Sequence, residues 1–82
     1  MYFVYILRSL KSNKSYVGMT SKLPGRRLYE HNIGMSTLTK HNGPFQLIFY
    51  ESYYCKTDAL HHEKFLKSGV GNKLVRLIID NY

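Results

Sequence analysis

The chain has no tryptophan, one cysteine, two prolines and five acidic residues. A lone cysteine, Cys55, excludes an internal disulfide framework. With four scattered histidines it does not make a structural zinc site of the usual kind either. No apolar run approaches the ~18 residues of a membrane-spanning helix. Tyr2–Leu7 is too short for the apolar core of a signal peptide and no cleavage site follows it, so a reducing, cytoplasmic setting is expected. The shortage of acid has two consequences. Twelve Lys and Arg leave a net charge of +7, which on so small a chain points to a polyanionic partner such as nucleic acid. A basic membrane-surface helix fits less well, because the basic residues are spread over every segment. The five acids, Glu30, Glu51, Asp58, Glu63 and Asp80, are also too dispersed for a two-metal centre, which gathers several carboxylates.

What is present is a single small domain, residues 1–82, rich enough in apolar and aromatic residues to hold one core. Tyr2–Leu7 and Ser15–Thr20 read as strands, joined by the turn-favouring cluster Ser9–Lys14. Closing this hairpin with Arg8 opposite Ser15 pairs Val4 with Met19 and Ile6 with Val17, giving one apolar face. The other face carries Tyr5 opposite Gly18 and Leu7 opposite Tyr16. The two phenols are then diagonal neighbours, with open space at Gly18. In Thr20–Gly34, Pro24 can open a short helix and Gly34 can follow its end. Arg27 and His31 project from one face at i and i+4, while Arg26, Glu30 and Asn32 point elsewhere. By itself this reads as a surface arginine and a histidine at the helix C-terminus.

Ile33–Pro44 reads as a loop carrying Lys40 and His41. Phe45–Tyr54 is a third strand, with Phe45, Leu47, Phe49 and Glu51 alternating with Gln46, Ile48, Tyr50 and Ser52. Tyr50, Tyr53 and Tyr54 are read as packing aromatics, with base stacking as the alternative. Cys55–Gly69 is a second helix, with Thr57 or Asp58 as cap and Gly69 as stop. Glu63 falls near its apolar stripe, and a carboxylate there needs a partner, either Lys67 at i+4 or a metal. His61 and His62 read as exposed. Asn72–Tyr82 is a last apolar helix that closes the core.

The triplets Val4-Tyr5-Ile6 and Tyr16-Val17-Gly18, followed by Arg-Arg-Leu-Tyr-Glu-His-Asn, by Ala59–Glu63, and by Lys-Phe-Leu-Lys-Ser-Gly-Val-Gly, resemble the GIY-YIG nuclease superfamily. The resemblance is to small single-domain members, similar to the N-terminal nuclease domain of excinuclease ABC. It implies an α/β (α+β) fold: a small three-stranded antiparallel sheet flanked by helices, in the order β-β-α-β-α-α, with the third strand beside the first. It implies Tyr5, Tyr16, Arg27, His31 and Glu63 as the catalytic set, gathered on one concave basic surface, and Glu63 as metal ligand. It also implies an endonuclease acting on nucleic acid, most readily DNA, in a setting such as DNA repair. With so few acids, one magnesium (or manganese) ion is expected, held by Glu63 and waters. Arg27 would neutralise charge on the phosphate. Tyr5 or Tyr16 would orient or deprotonate the attacking water, with its pKa lowered by Arg27, His31 or the metal. Arg8, Lys14, Arg26, Lys40, Lys67 and Lys73 are the candidates for binding the nucleic-acid backbone. The alternatives are a catalytically idle binding module of the same fold, or a subunit that relies on a protein partner for targeting.

Overall fold

A computed structural model describes residues 1–33 and 43–81. Three strands, β1 (Tyr2–Ser9), β2 (Ser15–Thr20) and β3 (Phe45–Tyr53), combine with three helices. The helices are α1 (Pro24–Asn32), α2 (Lys56–Lys67) and α3 (Gly69–Asp80). The strands form one antiparallel sheet in the order β2-β1-β3. The chain is therefore α+β with the expected order β-β-α-β-α-α. Among the described residues no helix is long and apolar enough to cross a membrane.

The β1–β2 register is the one the hydrophobic pattern demands: Val4 opposite Met19, Tyr5 opposite Gly18, Ile6 opposite Val17, Leu7 opposite Tyr16. A slip of one residue would turn Val4 and Ile6 out of the core. The turn is braced by the Ser9 hydroxyl, which accepts from the backbone N–H groups of Lys11 and Ser12 at 3.2 and 3.1 Å. One side of the sheet is covered by α2 and α3, where Val4, Ile6, Ile48, Ala59, Leu66, Val75 and Ile79 form the main core. The other side carries a smaller cluster of Tyr5, Leu7 and Phe45, against which Tyr16, Leu28 of α1 and Leu47 pack.

β3 departs from simple alternation. Ile6 lies opposite Phe49 and Leu7 opposite Leu47, so Ile48 is an extra residue, a β-bulge. The bulge shifts the phase. Phe45 and Leu47 serve the α1 side, whereas Ile48 enters the main core and Glu51 pairs with Val4 on the α2 side. Tyr53 packs against the main core and Tyr50, though half-exposed, sets its ring edge-on to Phe3, whereas Tyr54 is almost wholly exposed.

The helix boundaries also correct the reading from sequence. Neither Thr57 nor Asp58 caps α2. Cys55 stands at its N-cap without a side-chain bond, and Asp58 lies in the first turn, where its charge suits the helix dipole. Gly69 does not end a helix but begins α3. Ser68 sits between the two helices, its hydroxyl donating to the Phe65 carbonyl at 2.6 Å and accepting from the Gly71 N–H at 3.2 Å. Gly71 is buried against α2, where a Cβ would run into the Phe65 carbonyl. Close approach of the two helices, not helix propensity, places glycine there.

Candidate active site

Tyr5 is buried, 3% exposed, in the middle strand of the sheet. Its ring crosses the neighbouring strand at Gly18, where an added Cβ would overlap the phenol. The glycine thus lets the hydroxyl lie at the β2 edge of the sheet. There it meets α1, whose Leu28 packs onto the small cluster and whose Arg27 and His31 stand one turn apart. The Tyr5 hydroxyl lies 3.0 Å from His31 Nε2, and its oxygen also interacts with the Arg27 side chain. His31 is therefore buried against a tyrosine, and not an exposed histidine answering to the helix dipole. Its neighbour Asn32 anchors the end of α1: Oδ1 accepts from the Phe45 N–H at 2.7 Å and Nδ2 donates to the Phe45 carbonyl at 3.4 Å.

Glu30 does not point away, as its position on a surface helix suggested. It is buried and receives Lys22 Nζ at 2.5 Å and Arg27 Nη1 at 3.0 Å. Those hydrogen bonds, Lys22's foremost, hold its carboxyl below the ordinary range. Loss of solvent lowers the pKa of Arg27, but hydrogen bonds to Tyr5 and Glu30 outweigh it and the value is raised. The i,i+3 spacing of Arg27 and Glu30 was a legible signal for this pair. Arg26, by contrast, is exposed.

The titrations run against the simplest expectation for a reactive phenol. Burial pushes the Tyr5 phenol above its ordinary value of 10, and the Arg27 hydrogen bond and charge only partly offset this. Burial first, and the Arg27 charge second, lower His31 below 6.5. The imidazole is thus neutral near pH 7, and in the tautomer with its proton on Nδ1, Nε2 accepts from the Tyr5 hydroxyl. The phenol is not a phenolate in waiting; it is a protonated group with an acceptor already in place.

Glu63 reaches the same region from α2, and its charge is felt at the Tyr5 phenol. Its side chain is 18% exposed, and Oε2 receives Lys67 Nζ at 3.2 Å. Oε1 takes no hydrogen bond among the described residues. A half-buried carboxylate with one oxygen clear of Lys67 offers a hard donor of the kind a divalent metal ion takes. No group of three or more His, Cys, Asp or Glu gathers into a metal cage among the described residues. Tyr16 shares the Tyr5 face but packs edge-on against Phe45, with ring centroids 5.1 Å apart.

The basic candidates lie further out. Arg8 Nη2 donates to Gln46 Oε1 at 2.6 Å, and Lys14 is exposed beside it at the hairpin end. Lys73 is exposed on α3. Lys40 and the loop around it lie outside the described residues. His62, expected to be exposed, is half-buried, 3.3 Å from Glu51 Oε1 and stacked near Phe65.

Residues 1–74 match the family described as the GIY-YIG catalytic domain. A UPF0213 protein of Clostridium perfringens is 33% identical over 79 residues, 95% of this chain and 83% of that protein. No solved structure matches. The family match spans the two tyrosine triplets, the α1 arginine and histidine, Glu63 and the start of α3. On both counts the chain belongs to the GIY-YIG family, whose catalytic domains are nuclease-type.

Proposed function

We propose that the protein is an endonuclease that hydrolyses phosphodiester bonds of nucleic acid, most readily DNA, with Tyr5 as the group that meets the attacking water. The observation that carries this reading is the placement of the Tyr5 hydroxyl between His31 Nε2 and the Arg27 guanidinium. A lone phenol is a poor base at neutral pH. In this site, as Tyr5 takes a proton from water, its own proton passes to His31, so a phenolate need not accumulate. Arg27 faces the phenol oxygen and, through its remaining N–H groups, the phosphate oxygens on which charge builds. Glu63 would hold a magnesium or manganese ion, which when bound supplies Lewis-acid stabilisation of the leaving oxygen. The net charge of +7 serves the approach of a polyanion.

The test incubates the purified protein with duplex, nicked, branched and single-stranded DNA and with RNA, with magnesium, manganese or chelator. Cleavage is expected with metal, and Glu63→Gln is expected to lower it about 10³-fold while nucleic-acid affinity in chelator holds level. The rate should rise with pH through an apparent pKa below 6.5, as His31 loses its proton. Failure to cut any of the substrates would replace this reading with a binding module of the same fold.

A further inference from the structure

Beyond Arg27, where β2 runs into α1, lies a cleft of about 330 Å³. Tyr2 and Met19 form its apolar end, and Thr20, Ser21, Lys22, Arg27, Glu30 and Lys56 line the rest. We propose that this cleft is a second phosphate subsite, in which Lys22 and Lys56 hold a backbone phosphate of the strand whose reacting phosphate lies at Arg27; the proposal rests on the nuclease reading of the Tyr5 site.

Three cations and one carboxylate share the cleft, so it keeps a positive surplus after Glu30 is satisfied. Glu30 is nearly buried, its side chain 7% exposed, whereas Lys22 is 50% and Arg27 29% exposed. The acid therefore lies beneath the cations and leaves Lys22 donors, and the Arg27 donors not held by Tyr5, for the cleft. An ammonium has three donors and a guanidinium five, and the bonds to Glu30 use one of each. Two cations converge on Glu30, and a third, Lys56, lines the same cleft. Lys56 has no carboxylate partner among the described residues. The Thr20 and Ser21 hydroxyls add neutral groups suited to phosphate oxygens.

The placement along α2 gives the cleft its direction. Lys56 and Glu63 are seven residues apart, two turns, so they share one side of the helix about 10 Å apart. A strand with one phosphate between Arg27 and Glu63 would carry a neighbouring phosphate towards Lys56 and Lys22. That arrangement selects a polynucleotide over a lone phosphodiester.

The test measures binding of a short labelled DNA duplex in chelator across a salt series. The proteins are the parent, Lys22→Ala, Lys56→Ala and, as control, Lys11→Ala in the hairpin turn at the other end of the sheet. Lys22→Ala and Lys56→Ala should each flatten the slope of log affinity against log salt by about 0.9 and weaken low-salt binding several-fold, and Lys11→Ala should not. Slopes equal to the parent's in both cleft variants would overturn the subsite. The readout needs no cleavage. A parent that cuts, with unchanged slopes in the cleft variants, sinks the subsite alone. A parent that cuts nothing, with flattened slopes in those variants, sinks the nuclease reading and keeps the subsite.

Discussion

A Cβ at Gly71 would strike the Phe65 carbonyl and the Leu66 backbone; a Cβ at Gly18 would strike the tip of the Tyr5 ring. The first obstacle is the backbone of a packed helix. The second is the tip of a side chain, held by His31 and Arg27. This contrast separates the two sides of the sheet. On the α2–α3 side, positions are set by main chain and close-packed aliphatic groups, with Ile6 and Val75 wholly buried. On the α1 side, position is set by a few polar side-chain contacts: Tyr5 to His31, Arg27 to Glu30, and Asn32 to the Phe45 backbone. The first side makes the fold. The second uses it.

The largest expected effect tests the packed side. Gly71→Ala should cost about 3 kcal/mol or more, because the α2–α3 joint must open to admit the methyl. The usual gain from replacing a helical glycine with alanine is only about 1 kcal/mol and does not offset this. Denaturant unfolding measures it, and a variant as stable as the parent would mean that the joint is not set by backbone contact. Gly18→Ala should do the reverse. The Tyr5 ring tip must give way but no backbone packing is opened, so the loss in stability should be smaller than that of Gly71→Ala. The hydroxyl then leaves His31, and cleavage should fall by roughly 10²–10⁴, the share of a positioned acid–base group. Equal activity in Gly18→Ala would mean that the glycine does not serve to seat the Tyr5 hydroxyl.

The same contrast explains what the sequence disclosed. Period-two alternation in Tyr2–Leu7 and Ser15–Thr20 set the register, since the apolar face admits one pairing. The i,i+4 spacing placed Arg27 with His31. What stayed hidden depended on contacts between elements. Ile48 looks like any strand residue, and its bulge arises from how β1 and β3 must twist to feed both sides of the sheet. Gly69 reads as a helix stop because its local propensity is poor, yet it opens α3, where packing against α2 reserves the next glycine, Gly71. Glu30 was missed because nine residues with one main apolar anchor, Leu28, do not say which flank of α1 is covered. Lys22 and Lys56 lie far apart in sequence and meet only because β2 ends where α2 begins.

The smallest expected effect concerns Glu30 and sharpens the contrast through pH. The buried residues of the main core are aliphatic and carry no titrating group, so their contribution to stability should be indifferent to pH. Glu30 is different: hydrogen bonds from Lys22 and Arg27 hold its folded pKa below the ordinary value of 4.5. A depressed carboxyl pKa stabilises the folded state above the unfolded value and loses that contribution as pH falls through the folded one. Glu30→Gln keeps the shape and removes the charge. At pH 7 its melting temperature should lie below the parent's by no more than a few degrees, because Lys22 is half exposed and solvent screens the pair. As pH falls below about 4.5 the parent protonates Glu30 and the two melting curves should converge. Leu66→Val, in the main core, should instead show a gap from the parent that stays constant across the same range. A Glu30→Gln gap that persists unchanged at pH 3 would show that its cost is one of packing, and would place Glu30 with the fold and not with the charged cleft.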